Sequence, residues 1–211
     1  MDIAAPRGRP LVLEPAERRS RILAAAEAAF LAKEYAATSM NDIVAACGMS
    51  KKTVYQVFAT KEQLFAEVVG ATIQEFPHFG VSVESDLDGE ASLRAVLEAM
   101  ASFILSPRHI ALLRLVLSES PLSPELGAIF FEESVRHGHT TLVGILSRLM
   151  PAHSDEWAVD HLVDFLVGGL LGHEFFMVAM GHSAPPSQEN IRQRVDRILA
   201  VLQPVLRPLF E

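Results

Sequence analysis

The residues best suited to specific chemistry are clustered in one stretch, Lys51-Lys52-Thr53-Val54-Tyr55-Gln56-Val57-Phe58. At helical spacing Val54, Val57 and Phe58 share one face, which leaves Lys51, Lys52, Thr53, Tyr55 and Gln56 pointing outward. Lysine ammonium groups neutralise phosphates, threonine and tyrosine hydroxyls fix register on phosphate oxygens, and glutamine pairs with the edge of adenine. An outward face of this kind suits a phosphate-lined groove.

A helix this short needs other elements to hold it. Upstream, Thr38 or Ser39 can cap a first helix, MNDIVAAC, whose Met40, Ile43 and Val44 fall at helical spacing. Its Asp42 lies in the first turn, where a carboxylate suits the helix dipole. Cys47-Gly48-Met49-Ser50 reads as the turn: Gly48 can take φ > 0 after a helix, and Ser50 can cap the next one. The spacing over 39–58 therefore predicts a helix-turn-helix, with the second helix as the reading element. Pro15 to Tyr35 is alanine-rich and carries a stripe of Ile22, Leu23, Ala26, Phe30 and Leu31, so it is expected to be a helix packed on Ile43, Val44, Val54 and Phe58. Arg18, Arg19 and Arg21 fall near its N-terminal end, either touching phosphate or simply solvated. Thr60 caps a fourth helix, opened by Lys61-Glu62 and reaching about Gln74, with Leu64, Phe65, Val68 and Val69 inward.

These residues resemble the DNA-binding domain of TetR-type transcriptional regulators. The resemblance rests on Thr38-Ser39-Met40, Asp42-Ile43, Cys47-Gly48-Met49-Ser50, Val54-Tyr55, Phe58 and Lys61-Glu62. The chain departs from the family pattern at Lys52, usually Gly, and at Val57, usually His or Tyr. The first departure adds a cation and the second puts a phosphate contact in doubt. The resemblance implies DNA contacts from Thr38, Ser39, Ser50, Lys51, Lys52, Thr53, Tyr55, Gln56 and Lys61. It also implies a homodimer on a palindromic double-stranded operator, most often as a repressor released by a small ligand. The rival reading is a helical small-molecule-binding or enzymatic protein whose helix-turn-helix is only structural.

Composition sets the frame. The 211 residues are 50% hydrophobic, enough for a substantial core in one or two domains. The single cysteine excludes an internal disulfide framework, no N-terminal stretch has the form of a signal peptide, and the apolar run Phe165 to Gly172 is far short of a membrane span. The expectation is a cytoplasmic protein without a membrane partner. The net charge of −8 hides an asymmetry: residues 1–62 carry +2 and the remainder −10. A cationic end on an acidic body can still bind DNA locally. In the leading arm, residues 1–14, Pro6-Arg7-Gly8-Arg9-Pro10 is either a minor-groove element, with Arg7 and Arg9 matching the negative potential there, or a solubilising leader.

The expected fold is all-α with about nine helices: arm 1–14, DNA-binding domain 15–62, connecting helix 63–75, and regulatory and dimerisation domain 76–211. Residues 76–89 read as a loop. Ser106-Pro107 and Ser123-Pro124-Glu125 each open a helix, the second running to about Met150. Residues 154–181 form a helix apolar on nearly all sides, and a last helix over 188–203 is limited by Pro204 and Pro208. By family resemblance the last two helices make a dimer interface, with Gly168 and Gly172 permitting close approach beside Leu170 and Leu171. Met100, Phe103, Phe130, Phe131, Trp157, Phe165, Phe176 and Met177 are core residues or the lining of an apolar cavity, and His173-Glu174 is either a ligand-orienting pair or a bond across the dimer. The eight histidines give no metal-ligating spacing, and no phosphate loop or nucleophile elbow is present, so neither metal, cofactor nor enzyme is expected.

Overall fold

The computed structural model describes residues 14–74, 89–149 and 156–210. The helices are α1 (Pro15–Lys33), α2 (Met40–Cys47), α3 (Lys51–Val57), α4 (Lys61–Gln74), α5 (Gly89–Ile104), α6 (Pro107–Glu119), α7 (Pro124–Phe130), α8 (His137–Leu149), α9 (Glu156–Ala179) and α10 (Gln188–Phe210). A π-helical segment, Phe131–Arg136, joins α7 to α8 without a break. The described residues thus form nine rods and no strand, the all-α fold expected. Pro107 and Pro124 sit in first turns, where a missing N–H costs nothing, and the Ser106 hydroxyl accepts the His109 backbone N–H at 3.3 Å.

Two apolar clusters hold the rods. The first contains Ile22, Ala26, Phe30, Ile43, Val54, Phe58, Leu64, Phe65, Val68 and Val69 from α1 to α4, and it continues into Leu112, Leu115 and Val116 of α6 and Leu126 and Phe130 of α7. The second joins α5, α8, α9 and α10 through Leu93, Leu97, Met100, Leu146, Val163, Leu166, Leu170, Val195 and Leu199. Sequence order therefore does not divide the packing: α6 turns an apolar face on the N-terminal helices although it lies beyond the expected boundary at residue 76.

Three expectations about the last helices need correction. α10 runs through Pro204 and Pro208 to Phe210, because Leu202 and Leu206 remain buried in the second cluster and hold the final turns against the proline penalty. α9 is not uniform, since Gly172 (φ 30°, ψ −126°) breaks it. A side chain at Gly172 would meet Arg194 Nη2 of α10 at 3.5 Å, so its close approach is to its own chain. Leu170 is fully buried in the same core rather than on a free face. The opposite side of α9 shows Phe165 (62% exposed), Phe176 (63%) and Gly168, where an added Cβ would meet nothing within 4 Å. By length and composition Val159–Ala179 matches a membrane span, although Val159, Val163, Leu166, Leu170 and Val178 are buried inside the fold.

Candidate functional site

The turn and its two helices form as their residues dictate. Ser39 caps α2 in a capping box: its hydroxyl accepts the Asp42 backbone N–H at 3.2 Å and the Asp42 carboxylate accepts the Ser39 backbone N–H at 2.9 Å. Lys33 bonds the same carboxylate at 2.7 Å, and that bond, with those from Ser39, holds Asp42 well below the usual carboxylate range. Gly48 ends α2 in the left-handed region at φ 67°. Ser50 caps α3, accepting the Thr53 N–H at 3.1 Å, with the two hydroxyls 2.7 Å apart. Val54 and Phe58 are fully buried, and Lys51, Lys52, Tyr55 and Gln56 are exposed. Lys51 Nζ lies 5.5 Å from the centre of the Tyr55 ring, so cation and phenol form one patch.

Other residues expected to touch DNA are occupied within the fold. Thr38 is buried, and its hydroxyl donates to Glu34 O at 2.7 Å and Ala29 O at 3.2 Å, because the chain leaving α1 needs its last carbonyls satisfied. Lys61 is half-buried. Its ammonium donates to Tyr35 O at 2.9 Å and Thr38 O at 3.0 Å and sits 4.1 Å above the Tyr35 ring, so it fastens α4 to the end of α1. Tyr35 itself is raised above the usual phenol range by burial and then by the Glu62 carboxylate, which its hydroxyl meets at 3.4 Å. Arg21 is exposed with a guanidinium nitrogen 3.5 Å from where a Gly48 side chain would stand, a cation at the turn that the helix pattern alone leaves on solvent. Arg7 and Arg9 lie outside the described residues.

A cavity of about 680 Å³ opens between α5, α6, the π segment, α8 and α9. Met100 and Phe103 line it, with Ile104, Leu113, Phe130, Leu142, Ile145, Val167, Leu171 and Phe175. Phe165 and Phe176 point outward instead; Phe131 is half exposed beneath Arg136, and Met177 does not reach the wall. His173 is exposed, while Glu174 faces Arg194 at 3.8 Å and so serves the α9–α10 contact. On α9, Phe165, His173 and Phe176 are exposed, whereas Val167, Leu171 and Phe175 of the same helix line the cavity. The side chain of Trp157 is outside the described residues. At the mouth, His139 Nε2 lies 3.3 Å from Asp164 and 3.7 Å from Asp160, a cluster drawn from α8 and α9.

His109 is the wall residue that pattern reading missed. It stands on the core-facing stripe of α6 with Leu112 and Val116, a polar residue where the helical period demands an apolar one. It is buried, and desolvation lowers its pKa to about 4, so the ring is neutral. Its ring centre is 5.1 Å from that of Phe103 and 5.7 Å from that of Phe130. Phe130 belongs both to this wall and to the N-terminal cluster. Next to it, Arg108 forms a two-pronged ion pair with Glu27 of α1, and the buried Glu119 accepts the Ala36 backbone N–H at 3.0 Å. Cavity wall and helix-turn-helix support are therefore in direct contact.

Comparison with known proteins agrees with this arrangement. Residues 22–68 match the bacterial regulatory proteins of the tetR family, and residues 91–203 match the C-terminal domain of AefR-like transcriptional repressors. The chain is 31% identical over 169 residues to the HTH-type transcriptional repressor ComR of Escherichia coli, covering 76% of this chain and 77% of that one. It is 33% identical over 90 residues to the HTH-type transcriptional activator FasR of Mycolicibacterium smegmatis, covering 42% of this chain and 41% of FasR. Among solved structures, a TetR-family regulator from Mesorhizobium loti superposes with a TM-score of 0.70 at 26% identity, over 90% of this chain and 98% of that one. The flavonoid-responsive regulator FrrA shares the fold, with a TM-score of 0.68 at 24% identity over 92% and 97% of the two chains. With an N-terminal helix-turn-helix, a C-terminal helical domain and both halves matched, the chain belongs to the TetR family and is a DNA-binding transcriptional regulator, not an enzyme.

Proposed function

We propose that this regulator works as a homodimer that grips a palindromic operator through α3 and is released when a small apolar or amphipathic molecule enters the α5–α9 cavity. The observation that carries the reading is Phe130, which lines the cavity and also belongs to the apolar cluster that holds α1 to α4. A ligand that shifts this ring must disturb the packing beneath α3. Lys51, Lys52, Tyr55 and Gln56 supply the DNA face, with Arg21 at the turn. Phe165, Gly168 and Phe176 on α9 and Val201 on α10 offer apolar surface that a second copy would cover. A dimer matches half-sites one helical turn, about 34–36 Å, apart, or a multiple of that. The relatives include a repressor and an activator, and a structural neighbour is ligand-responsive by name, which supports the class of mechanism.

Selection of bound duplexes from a random pool tests the DNA half of this reading. Enrichment of a two-fold symmetric sequence is expected; recovery of no preferred sequence would overturn it. Titration of that duplex with and without ligand tests the other half, since the coupling must be reciprocal, typically about 5–150-fold in each direction.

A further inference from the structure

The His109 side chain, only 6% exposed, is drawn into no hydrogen bond among the described residues, and its ring nitrogens are not among the fully enclosed orphan atoms, which are Ser183 Oγ and Arg194 Nε. A buried polar group left in this state is unfavourable unless something else satisfies it. The ring borders the cavity, which gives the missing partner a place to sit. Around it the buried wall residues carry no charge: Met100, Phe130, Leu142 and Ile145 are apolar and Ser134 is a neutral hydroxyl. The other charged or titratable members of the lining lie toward the rim: Arg148, Asp164 and His137 are exposed, and the half-buried His139 faces Asp160 and Asp164. Phe103, Phe130 and Phe175 bring three aromatic rings to the same space, and flat π-faces favour stacked or edge-on aromatic partners.

We infer that His109 is the polar anchor of the cavity and that the ligand it takes is an uncharged aromatic molecule with a hydroxyl group. This rests on reading the cavity as a ligand site. A neutral imidazole has one N–H donor and one lone-pair acceptor, and a phenol hydroxyl can donate to the lone pair while its rings fill the apolar remainder. A carboxylate at the same depth would lose its hydration with no cation to meet it, since neither His109 in its neutral state nor its buried neighbours supply one. The volume, about 680 Å³, lies within the range of small-molecule sites.

Three probes of one shape test this: trans-4-hydroxystilbene, trans-stilbene and trans-stilbene-4-carboxylate, titrated by fluorescence into the full-length protein. The hydroxylated probe is expected to bind tightest. His109→Phe, which keeps a ring and removes both nitrogens, should weaken it about tenfold and leave unsubstituted stilbene unchanged or tighter. His109→Gln, which keeps a donor and an acceptor, should hold the hydroxylated probe to within a few-fold of wild type and serves if the phenylalanine variant does not fold. No binding of the hydroxylated probe, equal binding to wild type and His109→Phe, or tighter binding of the carboxylate would each overturn the inference. Operator affinity measured alongside separates the two readings: a probe that binds through His109 without changing operator affinity removes the regulatory role and leaves the anchor standing.

Discussion

Arg108 on α6 holds Glu27 on α1 through two parallel N–H···O bonds of 2.6 Å each, one residue along from the histidine in the cavity wall. Such forked pairs are directional as well as attractive, so this one fixes the angle between α6 and α1. The side chains are 36% and 15% exposed, which places the pair between a surface bridge and a buried one. A double-mutant cycle with Arg108→Ala and Glu27→Ala, read by chemical denaturation, is expected to give a coupling of about 1–2 kcal/mol. A coupling near zero would show that the α1–α6 angle depends on the apolar cluster alone.

On the proposed DNA face of α3, Lys51→Ala should weaken binding to all duplexes by a similar factor and reduce the salt slope by about 1. Tyr55→Ala should cost about 1–3 kcal/mol if its hydroxyl meets a base edge, and less at a phosphate. Fluorescence anisotropy at several salt concentrations measures both. Both variants should melt as wild type does, since the two residues are exposed.

Thr38 separates support from contact. Thr38→Val leaves the volume but deletes the donor to Glu34 O and Ala29 O. A stability loss of about 1–3 kcal/mol is expected, with operator affinity unchanged once corrected for folded fraction. Loss of affinity at full stability would return Thr38 to the DNA face.

Charges on opposite sides of α9 should act differently. Phe165→Glu and Phe176→Glu fall on exposed positions and should convert dimer to folded monomer in sedimentation. Leu170→Glu falls in the core and should unfold the chain, because burying an unpaired carboxylate there has no compensating partner. A folded Leu170→Glu monomer would contradict the packing described above.

The histidine in the cavity also makes stability depend on pH. Its folded pKa, about 4, lies below the ordinary 6.5, so between those values the unfolded chain binds a proton that the folded chain refuses. The contribution is complete above pH 6.5 and is lost as pH falls toward 4. Between pH 7 and pH 5 the loss should be about 2 kcal/mol. Denaturation at the two pH values should show a smaller difference for His109→Phe than for wild type.

Much of the N-terminal half was legible in the sequence because its signals are local. A serine before a helix, a glycine after one and apolar residues three and four apart act within a turn or two, so capping at Ser39 and Ser50, the left-handed Gly48 and the outward Lys51, Lys52, Tyr55 and Gln56 stand where their spacing puts them. The all-helical class follows from the same local periodicity. What a polar side chain does when it leaves its own helix is decided at long range. Thr38 and Lys61 have the types and positions of DNA contacts, yet the carbonyls of Ala29, Glu34, Tyr35 and Thr38, at and just past the C-terminal end of α1, hold their donors. Phe165, Leu170 and Phe176 are equally apolar in sequence; only the crossing of α9 over α5 and α10 and its break at Gly172 determine which is core and which is surface. His109 was chosen the same way, since α6 could carry a histidine on its buried stripe only where three other helices and the π segment left a space beside it.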